Sequence, residues 1–266
     1  MPPESADAPC PRCEGRGWVL APDGSAGTAS PCSCRSAREV ELRLEKAGIP
    51  PRYLRKTLQN FNAESPSGAD SLWQAKELSL QYVRDFLTSS GGFVETGLLF
   101  TGPPGGGKTH LAVGVLRALI ERYAVRGRFV DFTDLVYQIQ STFDAGSEES
   151  KEQVLSPIIE AEVLVLDELG AQRSTPFVND MLYLVLNKRY ARCLPTIFTT
   201  NHPIGEPERT RDQSPDRPPA HQSSEVIPLT QRIPVRLVSR LYEMARMIEL
   251  PVKDFRREVQ AEHLCV

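Results

Sequence analysis

The sequence predicts an α/β fold in which a mostly parallel, five-stranded sheet is covered by helices on both faces. Short apolar runs alternate with segments of helical periodicity, as in repeated βαβ units. The run VLVL at 163–166 has the continuous apolar character of a central strand that is buried on both faces. The strands are predicted at 98–101, 128–131, 163–166, 196–199 and 247–250, and the helices between them at 109–124, 134–144, 151–160, 177–191 and 234–245.

Length and composition restrict the class of protein. The 266 residues can form one substantial core and a small accessory module. The hydrophobic fraction of 40% and the charged fraction of 24% are those of a soluble globular protein. The net charge of −3 argues against a general nucleic-acid coat. Because the chain lacks both a secretion signal and an apolar run of roughly 18 residues, we expect a cytoplasmic protein without a membrane span.

Changes in composition divide the chain into regions. Residues 1–34 contain four cysteines around a loop rich in Gly, Ser and Ala, and they are predicted to form a separate module. Residues 35–70 combine one predicted helix with a linker. The α/β domain is predicted over 71–256, followed by a short tail at 257–266. Within this domain, 203–229 is dense in Pro, Ser, Glu and Arg, which predicts a disordered surface insertion.

A glycine-rich run after the strand at 98–101 matches the phosphate-binding pattern G-x-x-x-x-G-K-[ST]. Its context is right, because GLLFT before it is typical of a strand and HLAVGVLRALI after it is typical of a helix. The glycines allow backbone N–H groups to point at phosphate oxygens, while Lys108 reaches the β- and γ-phosphates and Thr109 binds Mg²⁺. The sequence therefore predicts an ATP site. Its predicted nucleotide-binding residues are Gly102, Pro103, Pro104, Gly105, Gly106, Gly107, Lys108, Thr109 and His110.

Two acids directly follow the apolar run 163–166. Asp167 and Glu168 therefore lie at the carboxyl end of a buried strand, where open α/β sheets bind ligands. We expect Asp167 to hold Mg²⁺ through its water shell and Glu168 to act as the general base on the attacking water. A solvated acidic turn would have the same sequence. The phosphate-binding run about sixty residues upstream favours the catalytic interpretation.

Four cysteines near the start of the chain predict a zinc site. Cys10, Cys13, Cys32 and Cys34 supply four thiolates, which is enough for a closed tetrahedral Zn²⁺ site. A short segment without its own core needs a cross-link of this kind. The alternative is four free cysteines in a disordered tail.

Taken together, these motifs resemble the AAA+ ATPases, and among them the DnaC/DnaI-type replicative helicase loaders and their IstB relatives. The resemblance covers most of the chain, and the motifs occur in the family's order, which makes it more specific than the phosphate-binding run alone. The segments that carry it are the N-terminal cysteines, AGIPPRYL, GLLFTGPPGGGKTHLA, FVDFTDLVYQIQSTFD, VLVLDELG, NKRY, PTIFTTN and VRLVSRLYEM.

The resemblance implies further catalytic residues beside Lys108 and Glu168. Asn201, which follows the strand at 196–199, takes the sensor-1 position, where its amide orients the attacking water. Arg240 in VSRLYEM matches the arginine finger that reaches the ATP of a neighbouring subunit, and Arg236 lies one helical turn before it. Sixteen residues follow position 250, which is too few for the helical lid of many AAA+ proteins.

The family implies an ATP-hydrolysing loader whose partners are a hexameric replicative DNA helicase, single-stranded DNA and further copies of itself. The zinc module and the adjoining helix would bind the helicase, and the helix at 133–144 would contact DNA through Tyr137, Gln138 and Phe143. Two alternatives stay open: an IstB-like transposition helper, and a nucleotide-gated binding module with negligible turnover. The N-terminal cysteines favour the loader over the helper.

Overall fold

The computed structural model describes residues 18–20, 29–31, 33–64, 69–88, 92–143, 150–205, 227–251 and 254. Near the N-terminus, strands Trp18–Leu20 (β1) and Ala29–Pro31 (β2) form an antiparallel pair in which Trp18 lies opposite Pro31. Helix Ser33–Lys46 (α1) follows, in agreement with the helical pattern predicted there.

Parallel strands and helices alternate along the rest of the chain. These elements are α2 (Ala69–Arg84), β3 (Gly97–Thr101), α3 (Lys108–Tyr123), β4 (Gly127–Asp131), α4 (Phe132–Ser141), α5 (Lys151–Glu160), β5 (Val163–Asp167), α6 (Pro176–Tyr190), β6 (Thr196–Thr200), α7 (Val235–Met244) and β7 (Ala245–Glu249). Single turns of 3₁₀ helix lie at Pro51–Tyr53 and Leu229–Gln231.

The five strands form one sheet in the order β4–β5–β6–β3–β7, and every neighbouring pair is parallel. The predicted five-stranded α/β sheet is therefore confirmed, with strand bounds close to those expected. The last strand begins at Ala245, two residues before the predicted start. The cause is that α7 ends at Met244 and the extended backbone of Ala245 starts β7 without a loop.

The sheet separates the core into two layers. Leu98 and Phe100 of β3 face the layer formed with α2 and α3, whereas Leu99 faces the layer formed with α4, α5, α6 and α7. Every residue of β3, β5 and β6 is buried, which explains the continuous apolar run at 163–166. Within the described part of the chain, no helix is both long enough and apolar enough to cross a membrane.

Residues 47–61, which lie between α1 and α2, are part of the main core. The N–H of Phe129 in the edge strand β4 donates to the carbonyl of Ala47 at 2.6 Å. Ile49, Leu58 and Phe61 are buried in the same layer as α3. Residues 47–61 therefore cover one face of the α/β domain.

The two ends of the predicted insertion at 203–229 are also folded. The Leu229 N–H donates to the Pro203 carbonyl at 2.8 Å, and Ile204 and Leu229 are buried in the core layer of α6 and α7. The bounds of the insertion were therefore too wide. Its remaining residues, 206–226, lie outside the described part of the chain.

A buried arginine binds backbone groups at the amino ends of the strands, on the side of the sheet opposite the glycine-rich run. Arg189, near the end of α6, is fully buried. Its guanidinium donates to the carbonyls of Ile158, Ile159, Ala161 and Pro195 and to the hydroxyl of Thr196, at 2.7–3.3 Å. Burial lowers the pKa of Arg189 to about 9, so the side chain is still a cation at pH 7. One side chain thus connects the end of α5, the end of α6 and the start of β6.

We expect Arg189→Met to lower the free energy of unfolding by about 3 kcal/mol or more, because several buried carbonyls lose their donor. Urea denaturation measures this change. Arg192→Met is the matched control, since Arg192 is exposed three residues later and its loss should change the stability little. Equal stabilities of the two variants would contradict the role of Arg189.

Candidate nucleotide site

The parallel register brings three separated segments to one edge of the sheet. Thr101, the last residue of β3, pairs with Thr200, the last residue of β6, so Gly102 and Asn201 leave the sheet side by side. On the other side of β6, Leu166 pairs with Phe198, so β5 ends at the same edge with Asp167. The structure therefore brings the phosphate-binding run, the two acids and Asn201 to the same edge of the sheet.

Two glycines of the loop have conformations that other residues would not adopt without strain. Gly105 and Gly107 have φ angles of 80° and 90°. A Cβ atom at Gly107 would lie 2.7 Å from the Phe61 ring, and one at Gly105 would lie 1.8 Å from the Asp254 carboxylate. Gly107 is also the residue that caps α3, so the loop delivers its backbone N–H groups to the start of that helix.

Lys108 is the first residue of α3 and is almost completely buried. Its Nζ atom donates to the carbonyls of Gly102 at 2.9 Å and Pro103 at 2.7 Å. Two carbonyl groups of the loop therefore hold the Lys108 ammonium group in place. A cation in this position can neutralise phosphate oxygens that the backbone N–H groups bind.

Thr109 and Asp167 form the polar pair that fits a magnesium ion. The Thr109 hydroxyl lies 3.0 and 3.2 Å from the two carboxylate oxygens of Asp167, which is buried. Hydroxyl and carboxylate oxygens are the ligands that Mg²⁺ prefers. Burial raises the pKa of Asp167 to about 6, while hydrogen bonds from Thr199 and Thr109 act in the opposite direction. The carboxylate is thus largely ionised at pH 7, and a bound cation would favour that form further.

Glu168 projects from the same edge in an unusual backbone conformation. Its φ is 57°, in the left-handed region, and its side chain is exposed. The Glu168 N–H donates to the Thr199 hydroxyl at 3.0 Å. An exposed carboxylate beside a phosphate loop is free to approach a water molecule, as a general base must.

The His110 ring is engaged with the segment between α1 and α2. Its Nε2 atom lies 2.9 Å from the Thr57 carbonyl and 3.0 Å from Asn60 Oδ1, and its ring meets that of Phe61 edge to face. Burial is the main cause that lowers the pKa of His110, so the ring is neutral at pH 7. Nucleotide binding by His110 stays a prediction, and the ring contacts leave its backbone N–H for that role.

Arg240 lies on α7, and its guanidinium is engaged with α6. Nη1 donates to Asn187 Oδ1 at 2.5 Å, and the guanidinium carbon lies 4.8 Å from the centre of the Tyr190 ring. Arg236, one turn earlier, stacks on Tyr183 at 5.2 Å. Both tyrosines are partly exposed, so these arginines belong to the outer surface of the α6–α7 pair.

The side chains of the four predicted zinc ligands lie outside the part of the chain that the structure describes. Cys10, Cys13 and Cys32 lie outside the described residues, and Cys34 is described only as backbone within α1. Among the side chains that the structure does describe, no group of three or more His, Cys, Asp or Glu residues could hold a metal ion. Zinc binding by the four cysteines stays a prediction.

A cavity of about 500 Å³ lies against the edge strand β4, away from the phosphate-binding run. Gly48, Arg128, Asp134 and Gln153 are among the residues that line it. Its lining includes neither the glycine-rich loop nor Asp167, so cavity volume does not identify the nucleotide site. The loop conformation and the pair formed by Thr109 and the buried Asp167 indicate it instead, because they supply the groups that a magnesium–triphosphate complex requires.

Two features of the site could not be found from the sequence. Phe61 supports the loop at Gly107, but an aromatic residue in an irregular segment is not a signal of phosphate binding. Thr199 contacts both acids, but a threonine in TIFTT is an ordinary strand residue. Both contacts arise only when distant segments meet.

Comparisons with known proteins identify a family of ATP-binding proteins. The family model for IstB-like ATP binding proteins matches residues 30–214. The chain is 30% identical over 172 residues to an ATP-binding protein of insertion sequence IS5376 from Geobacillus stearothermophilus, with 65% of this chain and 62% of that protein covered. It is 26% identical over 173 residues to the replicative helicase loader DnaC of Escherichia coli K12, with 64% and 65% covered. The match thus spans less than two thirds of these two relatives.

A third relative matches over more of the chain. An insertion-sequence ATP-binding protein of Sinorhizobium fredii is 28% identical over 246 residues, with 92% of this chain and 72% of that protein covered. Among solved structures, the crystal structure of the DnaC helicase loader superposes with a TM-score of 0.59 at 28% identity and covers 76% of this chain and 99% of that one. DnaI has a similar fold, with a TM-score of 0.57 at 21% identity over 76% and 95%.

The described fold is that of these AAA+ neighbours, and the family model covers well over half of the chain. The chain therefore belongs to the family of IstB-like ATP-binding proteins, and it is also similar in sequence to the DnaC loader.

Proposed function

We propose that this protein is an ATP-hydrolysing replicative helicase loader that acts in DNA replication in the cytoplasm. The observation that carries the hydrolytic part is the arrangement of Thr109, Asp167 and Glu168 at one sheet edge beside the buried Lys108. A protein that only held nucleotide would need the loop and Lys108, but it would not need an exposed carboxylate beside the metal-binding pair.

Each residue of the site has a distinct proposed task in hydrolysis. The loop and Lys108 bind the phosphates, and Thr109 and Asp167 hold Mg²⁺, which would neutralise charge on the phosphate oxygens. Glu168 accepts a proton from the attacking water. Asn201, beside Gly102 at the end of β6, orients that water with its side-chain amide.

Arg240 is proposed to act on the ATP of a neighbouring copy. Its guanidinium is held by Asn187 and by the face of Tyr190, which is 42% exposed, so the arginine is presented at the surface of the chain. A delocalised guanidinium can stabilise the charge that develops on the γ-phosphoryl oxygens. This proposal implies self-association through the ATP site.

The N-terminal hairpin supports the proposed zinc site. Trp18 lies opposite Pro31 in the β1–β2 pair, so the chain enters and leaves the hairpin at the same end. Cys32 directly follows Pro31, and Cys13 is only five residues before Trp18, within reach of the same point. Two cysteine pairs that flank a short hairpin suit a tetrahedral Zn²⁺ site. We assign this module, with α1, to the contact with the helicase.

The proposed contact with single-stranded DNA uses exposed aromatic side chains near α4. Tyr137 and Phe143 are 62% and 65% exposed, and the Phe143 ring already meets Phe177 edge to face. Both rings are accessible for stacking on a base, and Gln138 lies beside Tyr137 on α4. Asp134 on the same helix opposes phosphate binding, so stacking would dominate this contact.

An ATP-dependent transposition helper is the second candidate function. It is favoured by the Sinorhizobium relative, an insertion-sequence ATP-binding protein that matches 92% of this chain. The nucleotide site would work identically in both functions. The partner that the protein binds therefore decides between them.

We expect the protein to hydrolyse Mg·ATP and Glu168→Gln to lower kcat by about 100-fold, because the general base is lost. Binding of ATP should persist in this variant, since the loop and Lys108 are intact. Phosphate release measures turnover, and Glu160→Gln, an exposed acid at the end of α5, is the control. Turnover by the wild type that does not exceed that of Glu168→Gln would support a nucleotide-gated module instead.

Mixing two inactive variants tests the role of Arg240. Lys108→Ala removes the ATP site but keeps the arginine, and Arg240→Ala does the reverse. We expect each variant alone to be inactive and an equal mixture to recover about a quarter of the wild-type rate, the share of randomly formed interfaces that combine an intact site with an intact arginine. A mixture that stays inactive would contradict action on a neighbouring copy.

The loader function predicts that the ATP-bound protein retains purified hexameric replicative helicase from the same organism about tenfold better than the ADP-bound protein. The double variant Cys10→Ser/Cys13→Ser should lose helicase binding and bound zinc together, while still binding ATP. Absence of helicase binding with either nucleotide, combined with ATP-dependent binding of duplex DNA, would favour the transposition helper.

A further inference from the structure

Thr199 connects the two acids of the site from the neighbouring strand. Its hydroxyl donates to Asp167 Oδ1 at 2.5 Å and accepts the N–H of Glu168 at 3.0 Å. Thr199 is 1% exposed, so water cannot take over either contact. The buried Thr199 hydroxyl therefore contacts the Asp167 carboxylate, which is proposed to hold Mg²⁺, and the backbone of Glu168, which is proposed to activate the attacking water.

The Glu168 backbone needs such support. A non-glycine residue with a φ of 57° is in a disfavoured region, and it persists only where its surroundings hold it. The following residue is held as well, because the Leu169 N–H donates to the Thr199 carbonyl at 2.8 Å and the Leu169 carbonyl accepts the Thr200 hydroxyl at 2.7 Å. The turn after β5 is thus bound to the end of β6 over two consecutive residues.

A hydroxyl group is required at this position because it must donate and accept at once. Its single hydrogen points to the Asp167 carboxylate, which leaves a lone pair for the Glu168 N–H. Valine has the same shape but can do neither, whereas serine can do both. Both contacts therefore depend on the hydroxyl group of Thr199 and not on the shape of the side chain.

We propose that Thr199 is a positioning residue for ATP hydrolysis: it aligns the Asp167 carboxylate for Mg²⁺ and fixes the backbone from which Glu168 reaches the attacking water. The inference rests on the proposed hydrolytic function. Through Thr199, β6 contacts both acids. Asn201, which is proposed to orient the attacking water, lies two residues after Thr199. A shift of β6 at the γ-phosphate would move the metal ligand and the base together.

The test compares Thr199→Val with Thr199→Ser in the full chain. We expect Thr199→Val to lower kcat by on the order of 10- to 100-fold, with less than about threefold change in the KM for ATP, and Thr199→Ser to stay within about threefold of the wild type. Thr196→Val is the control, because the Thr196 hydroxyl is buried at the other end of β6 and binds Arg189. Its loss should lower thermal stability but not kcat.

A second measurement does not depend on turnover. The Mg²⁺ concentration that gives half-maximal binding of a fluorescent, non-hydrolysable ATP analogue should rise about tenfold in Thr199→Val and stay unchanged in Thr199→Ser and Thr196→Val. If the wild type hydrolyses no ATP, the hydrolytic function fails, and this titration alone decides the role of Thr199. Equal Mg²⁺ requirements for Thr199→Val and the wild type, or an equal loss in Thr199→Ser, would overturn the positioning role.

Discussion

The parallel register of β5, β6 and β3 is the constraint on which the site depends. Phosphate, metal and water must be met by groups from three parts of the chain, and those groups converge only if all three strands end at one sheet edge. The pairing of Thr101 with Thr200 and of Leu166 with Phe198 places them there. A shift by one residue in either pair would turn the side chains to opposite faces and separate Thr109 from Asp167.

Buried contacts away from the phosphates stabilise the elements around these strands. The ring of Phe61 packs on Gly107 and against His110, so the segment between α1 and α2 supports the loop from outside. At the opposite end of β6, Arg189 binds the strand to the ends of α5 and α6. A cation with this many fixed acceptors specifies one arrangement of the elements, because every displacement leaves carbonyl groups unsatisfied.

The sequence was most informative where a function needs contiguous residues. The glycine-rich run and the apolar strand that ends in Asp167 each carry their chemistry within a few positions, so the location of the candidate site and the positions of the strands along the chain could be predicted. Arg189, Phe61 and Thr199 could not, because an arginine near a helix end, an aromatic residue in a loop and a threonine in a strand usually lie at the surface or in ordinary packing. Their roles come from residues that are tens of positions away. The folded ends of the insertion were missed for the same reason, since Pro203 and Leu229 meet only in three dimensions.

The nucleotide site cannot by itself distinguish a loader from a transposition helper, because both would use the same chemistry. What differs between such proteins therefore lies outside the site, in the surfaces that contact their partners. Besides the N-terminal module, two surfaces of this chain carry groups proposed to contact a partner: the α6–α7 face, where Arg240 and Tyr190 are presented, and α4, where Tyr137 is exposed. Helices α4, α6 and α7 pack in one core layer on the same side of the sheet, and β6 is the next element after α6. Arg189 joins the end of α6 to the start of β6 through Pro195 and Thr196, so a movement of β6 in the γ-phosphate region would act on the α6–α7 face through these buried hydrogen bonds.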